Sequence, residues 1–259
     1  MDCTFARYCS YSILNVYFIE RGALYFWYTL IMKKYKGLLA ILILILPTAI
    51  YIFLTYGKHN FTHLPVVSSQ TDSTFYRISD FSFVNQFGDT VSQSDYNGNI
   101  YLANFIFTTC PTICKTMTYN MRRIQQKMAQ YSNFKILSHT VFPEYDTPQV
   151  LLDYANKFDA DFSNWNFVTG ERQSIYSMAS SYLLVANEDS DAPGGFVHSG
   201  HFVLIDKEGR IRAREDDNGN NIAAYDGTSD YEVDLLIDDI KVLMAEYNLA
   251  KKDKNESKR

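Results

Sequence analysis

Cysteine is scarce in this 259-residue chain. There are four, in two pairs: Cys3 with Cys9, and Cys110 with Cys114. Two thiols four residues apart cannot staple a domain of this size, so a disulfide scaffold is excluded. Redox chemistry or metal binding is left. Basic charge is also short. There are 24 Lys and Arg against 29 Asp and Glu, a net charge of -5. No basic face is expected, and nucleic acid is not an expected partner. The chain has no internal repeat, and its length allows one or two domains. The Asp- and Asn-rich stretch 215–224 lacks the D-x-D-x-D-G spacing and closing Glu of a calcium loop, so a surface loop is expected there. Hydrophobic residues, at 47%, are plentiful enough for a packed core.

One segment lacks charge altogether. Gly37 to Tyr56 reads GLLAILILILPTAIYIFLTY. At about 1.5 Å per residue such a helix spans roughly 30 Å, the thickness of a hydrocarbon core. Lys33, Lys34 and Lys36 precede it, which predicts a cytoplasmic N-terminus and an extracytoplasmic remainder. No A-x-A-like site closes the run, so a retained anchor is expected rather than a cleaved signal peptide. No cysteine follows closely, so a lipoprotein anchor is not indicated. The expected organisation is a cytoplasmic segment 1–36, a transmembrane anchor 37–56, a linker 57–74, a folded domain 75–249 and a disordered charged tail 250–259. A second start at Met32 would give MKKYKGLLAILILIL, and residues 1–31 are read as a start-site artefact or a poorly ordered segment. His59 and His63 are read as solvated linker histidines.

The soluble part alternates strand and helix signals. Phe81–Val84 and Thr90–Val91 suggest a hairpin across Gly88-Asp89. Ile100–Phe107 is a near-continuous apolar run, as in a strand covered on both faces. Helical patterns follow at 114–129, 148–158, 172–180 and 231–247, with strands at 135–141 and 165–168. A second hairpin is expected at 202–206 and 210–214 across Lys207-Glu208-Gly209. The fold class predicted is α/β: a three-layer α/β/α sandwich with a mixed central sheet, preceded by one transmembrane helix.

The chemistry sits between the strongest strand and the helix after it, in Phe107-Thr108-Thr109-Cys110-Pro111-Thr112-Ile113-Cys114. A helix N-terminus lowers thiol pKa values. If the turn is helical, positions i and i+4 share a face and the sulfurs converge. Converging thiolates form a disulfide or bind a soft metal such as Cu(I). Copper would need a third donor, and Phe196-Val197-His198-Ser199-Gly200-His201 supplies two candidates. In an extended chain their odd spacing puts them on opposite faces, so one is expected to reach the thiols. Spacing does not choose between His198 and His201.

Four stretches together resemble the SCO/SenC family of copper-binding, thioredoxin-like proteins. They are FTTCPTIC at 107–114, VFPEYDTPQVLLDYANKF at 141–158, Trp165 through Thr169-Gly170, and VHSGHFVLIDKEGRIRA at 197–213 with YDGT at 225–228. The resemblance implies a thioredoxin-like fold, a copper ion, Cu(I) or Cu(II), held by Cys110, Cys114 and His198, and delivery to the copper-bearing subunit of cytochrome c oxidase or to another copper carrier. Lys115 replaces the family's usual Pro. Phe142 stands where the family usually has an Asp associated with the site, and His139, three residues earlier, is read as a core or surface histidine.

Other functions compete. A membrane-anchored thiol–disulfide oxidoreductase without stable metal would use Cys110 as attacking thiol and Cys114 as resolving thiol. A copper or redox sensor would use the same residues. A zinc site from Cys110, Cys114, His198 and His201 has suitable ligand types, but strand geometry disfavours it.

Overall fold

Strand and helix alternate along the chain as the apolar patterns predict, in a computed structural model that describes residues 35–37, 41, 43–51, 63–68, 76–189, 191, 194–215 and 218–256. The side chains of residues 197, 198 and 252–256 lie outside that description. In chain order the strands are β1 (Ser82–Asn85), β2 (Thr90–Ser92), β3 (Ile100–Ile106), β4 (Phe134–Thr140), β5 (Trp165–Thr169), β6 (Ala186–Glu188), β7 (Phe196–His198), β8 (His201–Ile205), β9 (Ile211–Arg212), β10 (Arg214–Glu215), β11 (Asn221–Ile222) and β12 (Ala224–Asp226). The main helices are Cys114–Lys127, Pro148–Lys157, Arg172–Ser181 and Asp230–Glu256.

The central sheet has the order β12-β8-β3-β4-β5-β1-β2, with β9 paired to β8. β3, β4 and β5 run parallel, while β8 lies antiparallel on the other side of β3. The sheet is therefore mixed, as predicted. All seven residues of β3 are buried, the reason its sequence is apolar without alternation. Helices cover both faces. Tyr154 of the Pro148–Lys157 helix meets Phe167, the register partner of Ser138. Tyr182, just past the Arg172–Ser181 helix, meets His139, the next residue on β4 and so on the opposite face. The chain leaves β3 in one direction through the Cys114–Lys127 helix to β4, and β8 flanks the other side. Loops at the C-terminal ends of strands diverge at such a point and leave a crevice.

Three elements differ from expectation. The stretch 215–224 is not a plain loop, because β10 and β11 pair as a small antiparallel hairpin. The last helix runs to Glu256, into the charged run where composition predicts disorder. Residues 63–68, read as linker, pack on the domain. Leu64 is buried, its carbonyl accepts a 2.6 Å hydrogen bond from Arg212, and Val67 N–H donates to Ile211 O at 3.0 Å. His59 lies outside the described residues. His63 is exposed, 3.7 Å from Glu246.

The chain divides into two units, 1–60 and 61–259. In the first, residues 35–37, 41 and 43–51 are helical, and Ile41, Ile43, Leu44, Ile45, Leu46, Ile50 and Tyr51 are exposed. Residues 1–34, including Cys3 and Cys9, and residues 38–40, 42 and 52–56 of the expected anchor lie outside the described residues. Among those described, no helix is long and apolar enough to cross a membrane.

Candidate metal centre

β3 delivers the chain to the crevice at Ile106, and a turn follows in which Cys110 N–H donates to Phe107 O at 3.1 Å. Cys114 is the first residue of the next helix, and Ile113 before it provides no side-chain cap. Cys110 therefore lies ahead of the helix rather than on its first turn. The sulfurs converge nonetheless: the Cys114 thiol is hydrogen-bonded to that of Cys110, and both are reduced and buried. Cys110 Sγ also lies 3.6 Å from Thr112 Oγ1.

The helix N-terminus does not win at Cys114. Its pKa is raised well above the ordinary thiol value, first by the hydrogen bond with Cys110 and second by burial. A hydrogen bond with the backbone of Phe107 acts the other way but is outweighed.

A buried carboxylate supports the turn from beneath. Asp146 is fully buried and accepts from Thr108 N–H at 3.2 Å, from the Thr108 hydroxyl and from the Thr140 hydroxyl. It thus ties the ends of β3 and β4 together two residues before Cys110. Burial raises its pKa above the usual carboxylate value, and the hydrogen bonds from Thr108 and Thr140 hold it back. No sequence motif singles out Asp146 for this role. The signal that could have found it is the D-T-P triplet, which also supplies the Thr147 cap and Pro148 at the start of the next helix. On the other side, Thr118 donates to the carbonyl of Cys114 at 2.8 Å, and the Tyr154 hydroxyl lies 2.8 Å from Thr118 Oγ1.

His198 is the last residue of β7, which pairs with β6 in a separate two-stranded sheet through Ala186↔His198, Asn187↔Val197 and Glu188↔Phe196. Its ring lies outside the described residues, but the chain on either side of it touches the cysteine turn. Phe196 packs on Phe107 with ring centroids 5.4 Å apart. Gly194 has φ +86°, and a Cβ there would stand 2.9 Å from the Phe107 ring and 3.3 Å from Pro111. A Cβ on Gly200 would stand 3.3 Å from Ile113. The backbone of residues 194–200 therefore runs alongside the Cys110–Cys114 turn.

His201 is differently engaged. It begins β8 in register with Asp226, and its Nδ1 lies 2.7 Å from Ser199 Oγ. His139 is a core histidine, stacked on Phe105 at 4.9 Å, with its pKa lowered to about 3 by burial. Phe142 is half-buried and packs between Tyr145 at 5.7 Å and Phe196 at 4.7 Å. Among the described residues, no three His, Cys, Asp or Glu side chains gather to hold a metal.

The SCO1/SenC family profile matches residues 69–231, more than half of the chain and all of the elements that build this turn. The chain belongs to the SCO1/SenC family. A SCO1 protein homolog of Bacillus subtilis (strain 168) is 32% identical over 172 residues, 66% of this chain and 84% of the relative. Among solved structures, a SCO1/SenC family lipoprotein from Bacillus anthracis str. Ames superposes with a TM-score of 0.57 at 28% identity, over 65% of this chain and 95% of that one. BsSco, described as a member of the Sco family of cytochrome c oxidase assembly proteins and as carrying a disulfide switch, gives 0.55 at 30% identity, over 65% and 93%. ScoI of Bradyrhizobium japonicum, solved with copper bound, gives 0.50 at 20% identity over 62% and 98%, which shows a shared fold. The mixed α/β fold thus matches that of the thioredoxin-like Sco structures.

Proposed function

We propose that this SCO1/SenC protein carries one copper ion on Cys110, Cys114 and His198 and passes it by ligand exchange to the copper-bearing subunit of cytochrome c oxidase or to another copper carrier. The observation that carries the reading is the meeting of two reduced, buried thiols at the C-terminal end of β3, with the His198 strand alongside them. Thiolates are soft donors and favour Cu(I) over hard cations. Two sulfurs leave the ion short of a donor, and an imidazole completes the set. His201 is tied to Ser199, which favours His198.

We read residues 37–56 as an anchor that keeps the domain on the outer face of the cytoplasmic membrane. The uncharged run, the lysines before it and the exposed apolar side chains of its described helical residues support this.

The test is copper titration of the purified, reduced protein. One copper per chain with a sulfur-to-copper absorption band is expected, and Cys110→Ala, Cys114→Ala and His198→Ala should each abolish tight binding. Wild-type affinity in the His198 variant would defeat the ligand assignment. Rapid disulfide exchange with no copper affinity would instead favour a bare dithiol reductase using Cys110 as attacking thiol.

A further inference from the structure

Phe142 is half-buried just after β4, and its surroundings explain what a ring does there. It lies 4.7 Å from the ring of Phe196, at 38°. Phe196, 9% exposed, also packs on Phe107, just ahead of the cysteine turn. It is two residues from His198 on β7. Among the described residues β7 has no partner in the central sheet; its pairing is with three-residue β6. So short a ribbon is marginal by itself and takes its position from what it packs on. The turn that carries Phe142 holds the ribbon a second time, since Arg172 pairs with Glu144 and with Glu188 of β6. That second hold is a surface ion pair and is weak.

We infer that Phe142 is a positioning residue for the third copper ligand: with Phe107 it clamps Phe196, and so fixes the strand bearing His198 beside the two thiols. This rests on the copper reading above. A carboxylate at 142 could not make this ring contact. The loss expected on breaking one such aromatic pair is roughly twofold to tenfold in affinity.

The experiment measures Cu(I) affinity of the reduced full-length protein by competition with a chromophoric chelator, with the ligand set read by X-ray absorption. Phe142→Ala and Phe142→Asp are expected to weaken binding about twofold to tenfold and to lower nitrogen scattering while keeping sulfur. Phe142→Trp is expected to stay within about twofold of the parent. Adding Phe142→Ala to His198→Ala should cost nothing further, because the positioned group is already gone. Alkylation rates of the two thiols should not change. If Phe142→Ala keeps parental affinity and nitrogen scattering while His198→Ala loses both, the inference fails and the copper reading stands. If His198→Ala itself binds normally, the reading fails and the inference with it. Should Phe142→Ala not fold by circular dichroism, Phe142→Leu, which keeps the volume but not the ring, decides on the same two readouts.

Discussion

At the scale of single residues, the centre depends on protons. The hydrogen bond with Cys110 and then burial raise Cys114, so at neutral pH this thiol keeps a proton that copper would displace on binding as proposed above. Cu(I) affinity is therefore expected to rise with pH across the neutral range, with proton release in the same titration; a pH-independent affinity would contradict a protonated Cys114. Asp146 gives a second pH signature. Its folded-state pKa is raised above the unfolded value, so the folded protein keeps a proton that the unfolded chain has released. Its contribution is fully present below the unfolded pKa near 3.8 and is lost as pH rises through the folded value, after which it is constant. Asp146→Asn should remove that slope from denaturant unfolding curves. It should also cost about 1–3 kcal/mol, because one amide oxygen replaces two carboxylate oxygens beneath three donors. An unchanged slope in the variant would assign it to another group.

At the scale of elements, legibility followed the strength of the apolar pattern. β3 was readable because burial on both faces demands an unbroken apolar run, and the Pro148–Lys157 helix because Thr147 and Pro148 mark its start. The β6–β7 ribbon was not readable. Ala186-Asn187-Glu188 is polar and three residues long, and its partner follows a Gly pair that reads as loop. Pairing between such segments is set by what they pack on, which no local pattern reports. The Arg214–Glu215 and Asn221–Ile222 hairpin was hidden for the same reason. The two cysteines were legible from their strand-to-helix setting. Asp146 was not, because the D-T-P triplet also has a capping use. Gly194 tests the ribbon directly. Its φ is positive, and the Phe107 ring would lie 2.9 Å from a methyl group at this position, so there is no room for a side chain. Gly194→Ala should destabilise by on the order of 1–3 kcal/mol in chemical denaturation and weaken copper binding as well. An unaltered midpoint and affinity would mean that the ribbon does not rest on the cysteine turn.

At the scale of the whole molecule, the chain divides at residue 60 into two units, and on the reading proposed above the first would attach and the second deliver. Removing residues 1–60 should leave copper stoichiometry and the circular dichroism of the domain unchanged while moving the protein from the membrane fraction to the soluble one. Retention on membranes after that deletion would overturn residues 37–56 as the anchor. The sheet order has a consequence for cargo exchange. Cys110 and Cys114 follow a strand that is buried along its whole length, whereas His198 belongs to a small ribbon with its own hydrogen bonds. On the copper reading proposed above, a recipient that draws the ribbon aside would break one bond to the ion and open a coordination position without loosening the core. Unloading then needs only local opening, and the empty carrier is left ready for another round.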